Sequence, residues 1–245
     1  MVVEKAKVHT IKTWKQALPV EGVVQAYGHR RKGKTATPWK IAEDLHKAGR
    51  TVATVVPDKG IAAKVFPRWV KLLSSIDEMK DYKRLVVLVD EMALWANARD
   101  HNKSENKDWI KLMAIVAQYH HLMILICQHT RQLDPQLAMD YDLLIFKRPS
   151  LLHISFARPE LRGFVQEAYD AFADLGKRDP RGYTYVIDPH NGRRGFLKNT
   201  KPTFWTERIS TLYAEMIANE APKRERPQKP KGETPGAALK EILGE

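Results

Sequence analysis

The sequence predicts an α/β fold: a central, mostly parallel sheet flanked by helices. Three observations predict it. The runs Thr51–Val56, Arg84–Val89, Leu122–Cys127 and Asp142–Phe146 are continuously apolar and rich in branched residues, as strands covered on both faces are. Stretches of helical spacing fall between several of these runs, and that alternation suits strands joined by crossover helices. A glycine-bearing turn, GHRRKGKT, leads from a further short apolar run, Val23–Tyr27, into the first such helix.

Taken in order, residues 1–20 read as a lead-in with a strand around Val8–Ile11. After the turn, Pro38–Lys47 has helical spacing, with Trp39, Ile41, Ala42 and Leu45 apolar, and Ala48-Gly49 stops it. Ala62–Leu73 reads as a helix interrupted by Pro67, and Asp108–Tyr119 as another helix. Beyond residue 150 the texture changes. Leu152–Phe156 alternates like a strand, and Leu161–Leu175 reads as an amphipathic helix. Tyr183–Ile187 and Arg194–Leu197 flank Asn191-Gly192, a hairpin signature. Trp205–Asn219 carries Ile209, Leu212, Tyr213, Met216 and Ile217 on one helical face. Ala221–Gly236 is Pro-rich and charged, the composition of a disordered tail, with a short helix at Ala237–Leu243. The expected organisation is a lead-in at 1–20, a core at 21–150, a C-terminal part of the same domain at 151–220, and a basic tail at 221–245. There is no internal repeat.

Composition narrows the class. The chain has 245 residues and 43% hydrophobic content, enough to bury a sizeable core without staples. It has a single cysteine, Cys127, so no internal disulfide can form. Cys127 lies in an apolar run and reads as a small core residue. No stretch approaches the roughly 18 apolar residues of a membrane span, and the N-terminus lacks a signal-peptide core. A cytosolic protein is the default expectation. The net charge of +12 suits a polyanionic partner, although a merely basic protein would have it too.

Residues Gly28 to Thr35, GHRRKGKT, fit G-x-x-x-x-G-K-[ST]. In this pattern successive backbone N–H groups turn inward around phosphate oxygens, along a path that glycines permit. Lys34 would reach the β and γ phosphates of ATP, and Thr35 would offer its hydroxyl to Mg2+. The helix opening at Ala36 would point its positive end at the anion. His29, Arg30, Arg31 and Lys32 make the loop interior unusually basic. The expected nucleotide-binding stretch is Gly28, His29, Arg30, Arg31, Lys32, Gly33, Lys34, Thr35 and Ala36. A basic surface turn is the plain alternative.

Asp90 and Glu91 follow LVVLV at the end of the most strand-like segment. An acidic pair there can hold Mg2+ through Asp90 and polarise the attacking water through Glu91. Such a pair also occurs as an ordinary loop start; its position downstream of the phosphate loop gives it weight. Gln128 ends LMILIC, followed by His129, Thr130 and Arg131. A polar side chain at that tip can sense the γ-phosphate or place the water, or simply end the strand.

Together, GHRRKGKT, LVVLVDE and LMILICQHTRQLDPQLAMDYDLLIF resemble the FtsK–HerA superfamily of DNA-pumping ATPases, over roughly residues 22–150. The last segment is the most diagnostic, with Gln128, Pro135, Leu137 and Asp142 in the family's places. Compact size and the lack of a membrane anchor are closer to the viral branch, the genome-packaging ATPases of membrane-containing icosahedral viruses. The resemblance implies a RecA-like P-loop NTPase core, here with a C-terminal hairpin and helix extension. It also implies a ring homo-oligomer, a hexamer, with double-stranded DNA through its centre and ATP between subunits. A neighbour's arginine would then stabilise the transition state. Many relatives carry that arginine just before the Gln-tipped strand, where this chain has Ala117, Gln118 and Tyr119. Arg148 is the first candidate, with Arg131 and Arg99 as alternatives.

A pump grips the DNA backbone through Lys and Arg without reading sequence. The segment Asn97–Lys107, with Arg99, Lys103 and Lys107, and the hairpin residues Arg193 and Arg194 are candidates; each also reads as a solvated loop. The basic residues inside the phosphate loop could add phosphate contacts, face a neighbour's DNA or be solvated. The expected function is ATP-driven packaging of a viral genome into a preformed capsid, in the host cytoplasm or at the virion vertex, with capsid or vertex proteins as further partners. The alternatives are a DNA-export or conjugation motor of the same superfamily, a P-loop small-molecule kinase, and a non-catalytic DNA-binding structural protein.

Overall fold

The computed structural model describes residues 9–29, 32–90, 105–132, 138–206, 208, 209, 211, 212 and 216. Among the described residues, nine strands form one sheet: β1 (His9–Thr10), β2 (Gly22–Tyr27), β3 (Val52–Val55), β4 (Val70–Leu73), β5 (Val86–Asp90), β6 (Leu122–Cys127), β7 (Leu143–Phe146), β8 (Tyr183–Asp188) and β9 (Arg193–Lys198). Their spatial order is β1-β9-β8-β7-β2-β6-β5-β3-β4. From β7 through β4 every pairing is parallel, whereas β8 runs antiparallel to both β7 and β9. The fully buried burial patterns of β3, β6 and β7 explain their unbroken apolar sequences, since neither face meets water.

Two apolar layers cover the sheet. One face packs Val87, Leu125 and Leu144 against Leu112 and Val116 of helix α4 (Glu105–Gln118) and Leu161 and Val165 of helix α6 (Pro159–Ala173). The other packs Val24, Leu88 and Ile124 against Trp39 and Ile41 of helix α2 (Ala36–Lys47), and against Ile209, Leu212 and Met216. The described residues between 208 and 216 are helical, within the predicted Trp205–Asn219, but Trp205 and Thr206 precede the helix. Short helices are α1 (Trp14–Ala17), α3 (Lys59–Ala62) and α5 (Leu151–Ser155). No helix among the described residues is long and apolar enough to cross a membrane. The single cysteine, Cys127, is buried in β6, as expected.

Two sequence expectations are corrected. Ala62–Leu73 is not one interrupted helix: α3 ends at Ala62, and Val70–Leu73 is the edge strand β4, paired in parallel with β3. The chain leaves the helix well before Pro67, which lies in the connection to β4. Val70 and Leu73 are buried on opposite faces of the sheet, with exposed Lys71 and half-buried Leu72 between them, too short a run to stand out beside the preceding helical spacing. Leu152–Phe156 is not a strand but helix α5. Its start is specified by Ser150, whose hydroxyl lies 2.7 Å from Nδ1 of His153, three residues on. The alternation of Leu152, Ile154 and Phe156 misleads because Leu152 and Phe156 stay largely exposed, at 64% and 53%. The tail beyond residue 216 and the lead-in before residue 9 lie outside the described residues.

Candidate functional site

Parallel strands end in register, so their C-terminal tips form a row. Tyr27 pairs with Cys127 on one side and with Phe146 on the other. Gly28 therefore emerges between Gln128, at the tip of β6, and Lys147, at the tip of β7. Asp90 pairs with Ile126, which puts it at the tip of β5, one strand beyond Gln128. At about 4.8 Å per strand, Asp90 and the start of the loop are separated by on the order of 10 Å across the sheet. The next segment, the loop and α2, leads to β3 on the far side of β5. The crevice above these tips is where open parallel sheets bind ligands.

The loop is shaped by close approach. A Cβ on Gly28 would sit 2.7 Å from Lys147 Cβ and 3.1 Å from its carbonyl oxygen, so no side chain fits there. Gly33 has φ +86°, a conformation costly for other residues, and it turns the chain into α2. The Gly33 and Thr35 carbonyls accept the first helical bonds, from the N–H groups of Thr37 (3.1 Å) and Trp39 (3.3 Å). Thr35 is the N-cap, and it makes no side-chain capping bond. Its hydroxyl is thus not spent on the helix. The first turn of a helix leaves N–H groups unpaired and carries positive potential, which suits an anion. At its other end, α2 is fastened by buried Glu43, which accepts from the backbone N–H (3.0 Å) and the hydroxyl of Thr203.

Of the sequence-predicted residues, the structure gathers Gly28, His29, Gly33, Lys34, Thr35 and Ala36 into the loop and helix start, with Lys32 beside them. Gln128 and Asp90 stand along the same rim. Arg30, Arg31, Glu91, Arg99 and Lys103 lie outside the described residues, as do Pro135 and Leu137; Lys107 falls in α4, with its side chain outside the description. Arg148 is exposed immediately after β7, and Arg131 is exposed in a 3-10 turn, Thr130–Gln132. Arg193 and Arg194 lie elsewhere. They open β9, opposite Asp188 and Ile187 at the end of β8, toward the edge of the sheet where β7 begins rather than where it ends. The Arg193 guanidinium donates to Asp188 at 2.6 Å, and Arg194 pairs with Glu167 at 3.2 Å. Asp142 accepts from the Val23 N–H at 2.7 Å, anchoring the start of β2.

Two residues at the rim had no role in the sequence reading. Lys147 is almost fully buried, and its ammonium donates to oxygens of Arg181, Tyr183, Thr184 and Asn199. Burial pulls its pKa down to about 7, opposed by the charge of Asp179. His153 stacks on His129 with ring centroids 4.7 Å apart, and lies 5.7 Å from His29. Its Nδ1 accepts from the Ser150 N–H at 3.3 Å. Burial foremost, then His129 and His29, push its pKa down to about 4, so it is neutral here at pH 7. A small pocket at this rim is lined by Tyr27, Gly28, Gln128, Thr130 and His153. The sequence signal for Lys147 was a cation directly after the apolar run DLLIF. The signal for His153 was its place three residues after Ser150.

Phosphate loop, sheet order and helical layers define a RecA-like P-loop fold. Among solved structures the chain is similar to the genome packaging NTPase B204 from Sulfolobus turreted icosahedral virus 2. For its complex with ATP-gammaS the identity is 14%, covering 74% of this chain and 98% of that one, with a TM-score of 0.51. The AMPPCP complex matches at 12% identity over 75% and 100% of the chains, with a TM-score of 0.52. The sulfate complex matches at 13% over 75% and 98%, with a TM-score of 0.50. At these identities the likeness is one of fold. No protein-family model and no curated protein matches the sequence.

Proposed function

We propose that this protein is an ATP-hydrolysing motor that translocates double-stranded DNA, and that its task is to package a viral genome into a preformed capsid. The observation that carries the reading is the row of strand tips. The phosphate loop, Gln128 and Asp90 occupy three successive strands of one parallel sheet, β2, β6 and β5. The family resemblance of the three sequence segments, the shared fold with a protein described as a genome packaging NTPase, and the net charge of +12 support the DNA-pumping part.

In this reading the loop N–H groups and Lys34 bind the triphosphate, with the N-terminus of α2 behind them. Thr35, at the start of α2, and Asp90, at the tip of β5, are hard oxygen donors and fit Mg2+, which would neutralise charge on the β and γ phosphates. Glu91, the next residue after Asp90, takes the proton of the attacking water. Gln128 contacts the γ-phosphate or that water. Arg148 of a neighbouring subunit in a ring stabilises the transition-state charge, with Arg131 and Arg99 as the other candidates. Arg99, Lys103, Lys107, Arg193 and Arg194 are the candidate DNA contacts. Because Arg193 and Arg194 are engaged by Asp188 and Glu167, they would have to exchange those partners for phosphate. The ring would work in the host cytoplasm or at the virion's packaging vertex, in contact with capsid or vertex proteins.

ATP hydrolysis measured with and without duplex DNA tests the proposal. Stimulation by duplex, abolished in Glu91→Gln with nucleotide binding retained, is the expected result. Turnover indifferent to DNA but dependent on a small phosphate acceptor would instead make this a kinase.

A further inference from the structure

The buried cation beneath the phosphate loop belongs to neither the triphosphate-binding nor the water-activating set. Lys147 follows β7 directly, and its backbone N–H donates to the Tyr27 carbonyl at 2.8 Å, the last residue before the loop. Its stem fills the space a side chain on Gly28 would need. A Cβ on Gly33 would lie 3.5 Å from its Cε and 3.8 Å from its Nζ, so the same side chain passes beneath both glycines of the motif. The ammonium then ends in a cage: the Tyr183 carbonyl at 2.5 Å, the Arg181 carbonyl at 2.8 Å, Asn199 Oδ1 at 2.9 Å and Thr184 Oγ1 at 3.4 Å. These oxygens come from the 3-10 turn Pro180–Gly182, from β8 and from the residue after β9. A lysine is rarely this buried without a reason, because taking its charge out of water is costly.

We propose that Lys147 is a positioning residue of the phosphate loop: it sets the loop's floor from below, ties it to the β8–β9 hairpin, and supplies buried positive charge to a bound triphosphate. The inference rests on the nucleotide-binding reading above. Fixed positive charge in a poorly solvated place acts on a phosphate more strongly than the same charge in water. Among the described residues, the charged or titratable groups on the packed elements are His29, Lys32 and Lys34 on the loop, Asp179 and Arg181 at the turn, Asp188 on β8, and Arg193, Arg194 and Lys198 on β9. Asp179 alone among them acts appreciably on Lys147, and Arg181 is turned to Asp179 at 3.0 Å. With the ammonium's pKa lowered to about 7, a bound triphosphate raises it again, so binding takes up a proton. Affinity therefore falls as pH rises above 7.

The test is titration of Mg2+ and AMPPCP into wild type, Lys147→Met and Lys34→Ala, at pH 6.5 and pH 8.5. Lys147→Met is expected to weaken binding by roughly tenfold at pH 6.5 and to flatten the pH dependence. If Lys34→Ala loses binding while Lys147→Met keeps both the affinity and the pH slope of wild type, the inference is wrong and the nucleotide site stands. If Lys34→Ala binds as wild type does, the nucleotide reading and the inference fall together. Thermal melting reports whether Lys147→Met folds. Should it not, wild type is titrated at pH 8 in two buffers of different ionisation enthalpy, where ordinary histidines, with pKa about 6.5, are already neutral. Net proton uptake there upholds the proposal, and its absence overturns it.

Discussion

Gly28 and Lys147 lie so close that a β-carbon on the glycine would stand 2.7 Å from the β-carbon of the lysine. The two residues leave adjacent parallel strands at the same level, one to begin the phosphate loop and the other to run beneath it. That crowding makes the loop's path dependent on the absence of a side chain. Gly28→Ala should therefore cost on the order of 1–3 kcal/mol of stability through overpacking. It should also weaken nucleotide binding by shifting the loop off β7. Denaturant unfolding and an AMPPCP titration on the same preparation check both parts; unchanged values for each would mean the approach is looser than described.

Arg148 is exposed at the rim, directly after buried Lys147. If it reaches the nucleotide of a neighbouring subunit, Arg148→Ala should bind AMPPCP as wild type does yet hydrolyse ATP more slowly, by about 10³-fold. Mixing it with Lys34→Ala subunits should then restore part of the activity, because each supplies what the other lacks. Full activity of Arg148→Ala alone would move the role to Arg131 or Arg99.

His153 gives the protein an acid-sensitive joint. Its pKa is pushed down to about 4 in the folded chain, first by burial and then by His129 and His29, with the Gln128 backbone opposing. The unfolded chain, with an ordinary histidine pKa near 6.5, binds the proton more readily between pH 4 and 6.5. The stabilisation is complete above that window and is lost as pH falls through it. Protonating Nδ1 would also remove the acceptor for the Ser150 N–H. Melting temperature should thus drop on acidification through this range, and His153→Gln should drop less steeply. An equal slope in both proteins would assign the acid sensitivity elsewhere.

The parallel core was legible because buried parallel strands write themselves as unbroken apolar runs; Leu122–Cys127 is buried at every position. The loop was legible because few residues allow the path that Gly28 and Gly33 take. What sequence misread was short and local. Val70–Leu73 is only four residues long, with its two buried side chains on opposite faces, and the helical spacing before it masked it. Leu152 and Phe156 are apolar but exposed, so their alternation mimicked a strand face that does not exist. Lys147 escaped because a lysine after a strand usually faces water. Only the three-dimensional cage of oxygens from the turn before β8, from β8 and from Asn199 after β9, more than thirty residues on, shows that it turns inward. The engagement of Arg193 by Asp188 is legible once the hairpin is folded, since the two face each other across β8 and β9.

The central claim is that Lys34 and Asp90 hold one magnesium–triphosphate between them. Calorimetric titration of AMPPCP, with and without Mg2+, into wild type, Lys34→Ala and Asp90→Asn tests it most directly. Wild type should bind more tightly with Mg2+; Lys34→Ala should lose at least about tenfold in affinity with or without the metal, and Asp90→Asn should lose the Mg2+ effect alone. Three superimposable isotherms, each indifferent to Mg2+, would contradict the account.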